Sequence, residues 1–280
     1  MLFRLTGALT RAALVVFLIA VPSILLPGGT LDSAQIVAIV AVFAGLFTVV
    51  EYSASSPSLI EFRDARPFNR MRFVTVFATV LSLSIIFRGY EQPSTITNFV
   101  HYAGSLFGGL ADFPFSPVRL MVAILQQDTT AQIDEQLWDA VGLSYVISLS
   151  SVAWFVLLLQ LKRWPRPNET FNVWINLPTF DPVSGGDVVK RMRRDGHINM
   201  LLGILLPFLI PMIVKLADIL GVPLNLSDPQ TLIWTVTAWT FLPAGVFMRG
   251  IALKRIAKLI HTQRKRAYER AETKDMLPTW

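Results

Sequence analysis

Six apolar runs set the first constraint on this chain, at residues 10–26, 33–51, 72–87, 137–161, 198–220 and 230–248. Few charges interrupt them, and each is long enough, or nearly so, to cross a hydrocarbon layer of ~30 Å as an α-helix. A single soluble core cannot absorb that much apolar length. Hydrophobic side chains make up 53% of the chain and charged ones only 16%, against about 25% charged in a typical soluble domain. The expected fold class is therefore all-α: a polytopic transmembrane helical bundle of about six spans with both termini inside.

The formal charge of +6 would suit a nucleic-acid partner, but the position of the charges gives a different reason for it. With the N-terminus inside, all of the 25 Lys and Arg except Arg88, Arg119 and Lys215 fall on the inner side. That asymmetry is the positive-inside pattern, so the charge reports orientation and no nucleic acid is expected. The pattern points to a multi-pass protein of a bacterial-type cytoplasmic (inner) membrane. Arg4 and Arg11 ahead of the uncharged stretch Ala12 to Leu26 also suit a secretory signal. No small-x-small cleavage site follows in PSILLPGGTLDSAQ, so the run is expected to stay as an anchor. The absence of cysteine excludes disulfides and thiolate metal sites.

The chain divides into a six-span membrane domain, 1–248, and a basic amphipathic cytoplasmic tail, 249–280. The domain carries an outer insertion at 88–136 and cytoplasmic loops at 52–71 and 162–197. Within the insertion, TITNFVHYAGSLFGGL and SPVRLMVAILQQ flank ADFPF. Both are too short to span, and Pro114 and Pro117 prevent one continuous helix. This 95–127 hairpin is expected either to lie in the outer interface or to re-enter the membrane. Gly104 and Gly108 form a G-x-x-x-G, which lets helices approach closely. In the tail, Ile251, Ile256, Leu259 and Ile260 alternate with basic residues, as in an amphipathic helix extending span six.

The stretch NLPTFDPVSGGDVVKRMRRDGHIN, 176–199, carries the densest charge. Pro178 and Pro182 keep it extended, Gly185-Gly186 permit a turn, and Asp187 is placed to N-cap the helix VVKRMRR. No G-x-x-x-x-G-K-[ST] is present, so nothing suggests a nucleotide cradle. Lys190, Arg191, Arg193 and Arg194, with Lys254, Arg255 and Lys258 of the tail, are expected to enforce orientation and to meet anionic lipid or a protein partner on the inner side. The three histidines, His101, His197 and His261, are scattered. They supply neither an axial pair for haem nor a zinc or di-iron set, so no cofactor, metal or catalytic residue is expected.

Gly142-Leu143-Ser144-Tyr145 in span four resembles the G-x-S-G of rhomboid intramembrane proteases, a family that pairs its serine with a histidine in span six. Tyr145 replaces the second glycine and 230–248 holds no histidine, so the resemblance is rejected and no family is assigned. Ser144, Ser148, Ser150 and Ser151 are expected to be small polar packing residues. In span five, Lys215 and Asp218 share a face near the outer boundary, where a lysine can snorkel. Pro207 and Pro211 should kink that span, and Pro243 the sixth. These features favour a non-catalytic accessory, assembly or scaffolding component of a larger membrane complex. The alternative is a small-solute transporter or channel using Pro207, Pro211, Lys215, Asp218 and the 95–127 hairpin.

Overall fold

The computed structural model describes residues 2–29, 31–55, 57–63, 66–126, 131–165, 171–181, 185–221 and 228–275. Pro182, expected to hold its stretch extended, lies outside the described residues. The described residues contain α1 (Leu2–Leu25), α2 (Leu31–Ser53), α3 (Arg66–Glu91), α4 (Thr95–Leu110), α5 (Pro117–Leu125), α6 (Ala131–Leu161), α7 (Val173–Asn176), α8 (Val188–Ile219) and α9 (Pro229–Asp275), and no strand. Six of these, α1, α2, α3, α6, α8 and α9, are long and apolar enough to cross a membrane. The chain is a six-span helical bundle. The start of α1 and the end of α9 therefore lie at one end, which also carries most of the basic residues and is called the basic end below.

The bundle is assembled from two antiparallel hairpins, α1–α2 and α8–α9, set around α3 and α6. Small residues allow the tightest crossings. A β-carbon at Gly250 would stand 2.7 Å from the Gly196 carbonyl, and one at Gly203 would stand 2.6 Å from Phe247 Cβ. The α8–α9 hairpin therefore packs backbone against backbone. The apolar faces left outside, such as Phe43 and Leu46 on α2 and Leu201, Met212 and Ile213 on α8, are exposed, as helices bathed in hydrocarbon require.

The insertion folds back onto the far end of the bundle. Gly104 and Gly108 of α4 bring it against α6, where a β-carbon at Gly142 would stand 2.3 Å from Gly108 Cα. Helix α5 starts with Ser116 as N-cap, accepting from the Arg119 N–H at 3.1 Å, and with Pro117 at its first position, where a missing N–H costs nothing. Its Val118, Met121, Val122 and Leu125 lie 3, 4 and 7 apart and are all buried. That stripe enters the same core as Leu83 and Ile86 of α3, Val141 of α6 and Trp239 of α9. The second half of the hairpin is thus a packed element between α6 and α8, whereas α4 keeps Phe99, Tyr102 and Leu106 exposed.

A second core sits at the basic end. Phe62, Phe68, Phe155, Leu177, Met192, Met248, Ala252, Leu253 and Ile256 cluster there. Helix α9 runs 47 residues, about 70 Å at 1.5 Å per residue, and continues without interruption past Met248. Its expected amphipathic stretch is buried where it meets this core: Ile256 is fully buried, Leu259 nearly so, and Ile251 and Ile260 are half-buried.

Candidate functional site

The most developed polar site lies where the loop after α2 meets α9. Glu51, at the end of α2, is buried and accepts from the backbone N–H groups of Ser58, Leu59 and Ile60 at 3.0–3.2 Å and from the Ser58 hydroxyl at 2.5 Å. One carboxylate thereby organises the loop. Arg63 donates to the Ala54 carbonyl at 2.5 Å, closing the end of α2. Phe62 adopts φ +54° and is fully buried. A bulky residue holds that left-handed conformation only when its surroundings fix it. They do so here: its N–H donates to the Asn176 carbonyl at 2.7 Å, and Asn69 Nδ2 donates to its carbonyl at 3.1 Å.

This turn presents Glu61 to α9. Arg249 donates to Glu61 Oε2 at 2.6 Å and Oε1 at 2.8 Å, a two-pronged pair, and the Thr179 hydroxyl donates to Oε1 at 2.6 Å. Arg72 lies beside them between the rings of Phe68 and Phe241, 5.5 and 5.3 Å from their centroids. Its buried Nε has no hydrogen-bond partner among the described residues. An open cleft of about 220 Å³ joins Glu61, Arg72, Thr179 and Arg249. Two cations against one carboxylate leave the cleft positive. The arrangement can clamp three separate chain segments together: the loop after α2, the segment at Thr179 and α9.

The proline break in α8 has a specific partner. Pro211 has no N–H, so the carbonyl four residues earlier, that of Pro207, loses its helical donor. Trp239 Nε1 of α9 donates to that carbonyl at 3.0 Å, and the residue is 1% exposed. Tyr145 stacks on Trp239 with centroids 5.7 Å apart. Ser148 donates to the Thr240 carbonyl at 2.8 Å and so joins α6 to α9. Ser144 and Ser151 are buried and bond within their own helix, while Ser150 is exposed.

The expected basic residues meet different fates. Asp187 is the N-cap of α8, accepting from the Val189 N–H at 3.2 Å and from Arg264 at 2.8 Å. Those two donors, Arg264 foremost, hold its carboxyl below the usual aspartate range. Arg191 donates to the Asp181 carbonyl at 2.9 Å and lies over the Phe180 ring. Arg255 donates to the carbonyls of Leu159 at 2.8 Å and Trp164 at 3.1 Å, closing the C-terminus of α6. Lys254 packs its stem against Gly196. Lys190, Arg193, Arg194 and Lys258 stay exposed, with Arg194 3.3 Å from Asp195. At the far end Lys215 pairs with Asp218 at 3.3 Å, both partly exposed.

Sequence reasoning missed Glu61, Arg72, Thr179, Arg249 and Trp239. A weak signal existed for Glu61, one of two acids, with Asp64, in the loop at 52–71. Nothing local marked Trp239. His101 Nδ1 and a carboxylate oxygen of buried Asp139 are in contact between α4 and α6, and among the described residues no three His, Asp or Glu converge as metal ligands. Compared with models of known families, with curated proteins and with solved structures, the chain shows no match.

Proposed function

We propose that this protein is a non-catalytic accessory, assembly or scaffolding component of a larger membrane complex, seated in a bacterial-type cytoplasmic membrane with its basic end inward. The covered helix break in α8 carries this reading. A transporter built on a broken helix offers its freed carbonyls to ions or solutes in a wet cavity. Here the Pro207 carbonyl is taken by the Trp239 indole inside a packed core. The polar groups at the basic end are similarly committed, Glu61 to Arg249 and Thr179, and Arg255 to the end of α6.

Helix α9 supports the same reading. Beyond position 248 it continues to Asp275, about 40 Å further. Its first turns there are locked into the second core, which fixes the direction of the exposed stretch at 264–272. A rigid, charged rod suits a protein partner. Lys190, Arg193, Arg194 and Lys258 face outward at the level where anionic headgroups would lie.

The experiment is gentle extraction from native membranes followed by identification of co-eluting proteins. A stoichiometric membrane protein partner is expected. A chain that elutes alone and moves a small solute into liposomes overturns the proposal in favour of a transporter or channel.

A further inference from the structure

Where α6 ends, the chain turns back beside the extension of α9 and leaves a groove of about 550 Å³. Leu159, Trp164, Pro165 and Leu259 make its wall apolar. Arg163, Lys258 and Arg266 stand exposed around its rim. Lys258, Thr262 and Arg266 lie four residues apart and so share one face of α9. Arg163 reaches the rim from a turn in which it adopts φ +48°. Among the described residues no carboxylate lines the groove, and none of these three cations is paired with one. Elsewhere at this end the acids are used: Glu61 holds Arg249 and Asp187 holds Arg264. Arg255, at the base, is already occupied by the carbonyls of Leu159 and Trp164.

An apolar wall under a ring of cations with no carboxylate partner among the described residues is the complement of an amphiphile with a negative head. The depth agrees. The groove opens at the last residues of the apolar span that ends at Leu161. Arg255 lies seven residues past position 248, about 10 Å along the helix, in the headgroup zone of the leaflet that faces the basic end. We propose that this groove binds one anionic diacyl phospholipid, its phosphate between Arg163, Lys258 and Arg266 and its upper acyl chains along Trp164 and Leu259. A soluble phosphate compound would use the cations and leave the wall uncovered. The site does not rest on the accessory role, which co-elution tests separately.

The test is native mass spectrometry of the purified full-length protein with phosphatidylglycerol or phosphatidylcholine of identical acyl chains. The expected result is one retained phosphatidylglycerol, preferred about tenfold. In Arg163→Gln/Lys258→Gln/Arg266→Gln the preference should fall to about twofold or less. All three side chains are exposed, so the fold should persist, with helix content read by circular dichroism. Thr262→Trp fills the groove without changing its charge and should abolish the preference as well. Equal retention of the two lipids overturns the proposal. So does full preference in Thr262→Trp, which would show diffuse surface attraction, or displacement by millimolar glycerol phosphate, which would show a soluble ligand.

Discussion

Replacing Trp239 with Phe removes one donor from the interior of the bundle and leaves the Pro207 carbonyl without its 3.0 Å partner. A buried polar group left unsatisfied costs about 1–3 kcal/mol, although hydrogen bonds between membrane helices average nearer ~0.6 kcal/mol. The smaller ring adds a packing loss of about 1–2 kcal/mol, because Trp239 is 1% exposed. The substitution should therefore destabilise the protein by about 2–3 kcal/mol, about 1 kcal/mol of it from the hydrogen bond. Pro211→Ala separates the two contributions. Alanine restores the N–H that a regular helix would send to the Pro207 carbonyl, so in that background Trp239→Phe should lose only packing. The cycle, measured by equilibrium unfolding in mixed micelles, should show a coupling of about 1 kcal/mol. Identical costs of Trp239→Phe in the wild type and in the Pro211→Ala background would refute the idea that the indole replaces the lost helical bond.

Three further outcomes follow from other contacts. Glu61→Gln should destabilise by about 1–3 kcal/mol by stripping the half-buried Arg249 of its carboxylate, and the exchange Glu61→Arg/Arg249→Glu should recover part of it in the same unfolding assay. Gly142→Val should cost about 2–3 kcal/mol, since even its β-carbon would fall 2.3 Å from Gly108 Cα; wild-type stability would disprove the α4–α6 contact. Asp187 has a lowered native pKa, so its support of the α9 extension is present above the ordinary aspartate range and is lost as pH falls through the lowered native value. A spin label at Lys265 should gain mobility in Asp187→Asn at neutral pH, and in the wild type only in strong acid.

Much of the fold was legible because its causes are local. The six spans follow from apolar length, the Asp187 cap from residue type next to a helix start, and the Lys215–Asp218 pair from a three-residue offset. Gly104 and Gly108 announced a close helix contact, although their partners on α6, Asp139 and Gly142, could not be named from spacing alone. The proposed site was far less legible. Glu61 and Arg249 are 188 residues apart, Arg255 and Leu159 are 96 apart, and Trp239 and Pro207 are 32 apart. Each pairing depends on which helices become neighbours, and periodicity does not encode that choice. Arg255 shows the consequence. As a residue in a basic tail it suggests lipid contact, whereas in the folded chain its guanidinium closes α6.

The central claim, that the break in α8 is covered by protein and opens onto no aqueous pathway, is tested most directly by thiol accessibility. The chain has no cysteine, so single substitutions report cleanly. Cysteines at Ile210 and Val236, both packed in the core beside Trp239, should resist small polar thiol reagents in native membranes, while one at the partly exposed Lys215 should react. Rapid reaction at Ile210 and Val236 as well as at Lys215 would reveal a wet interior and contradict the account.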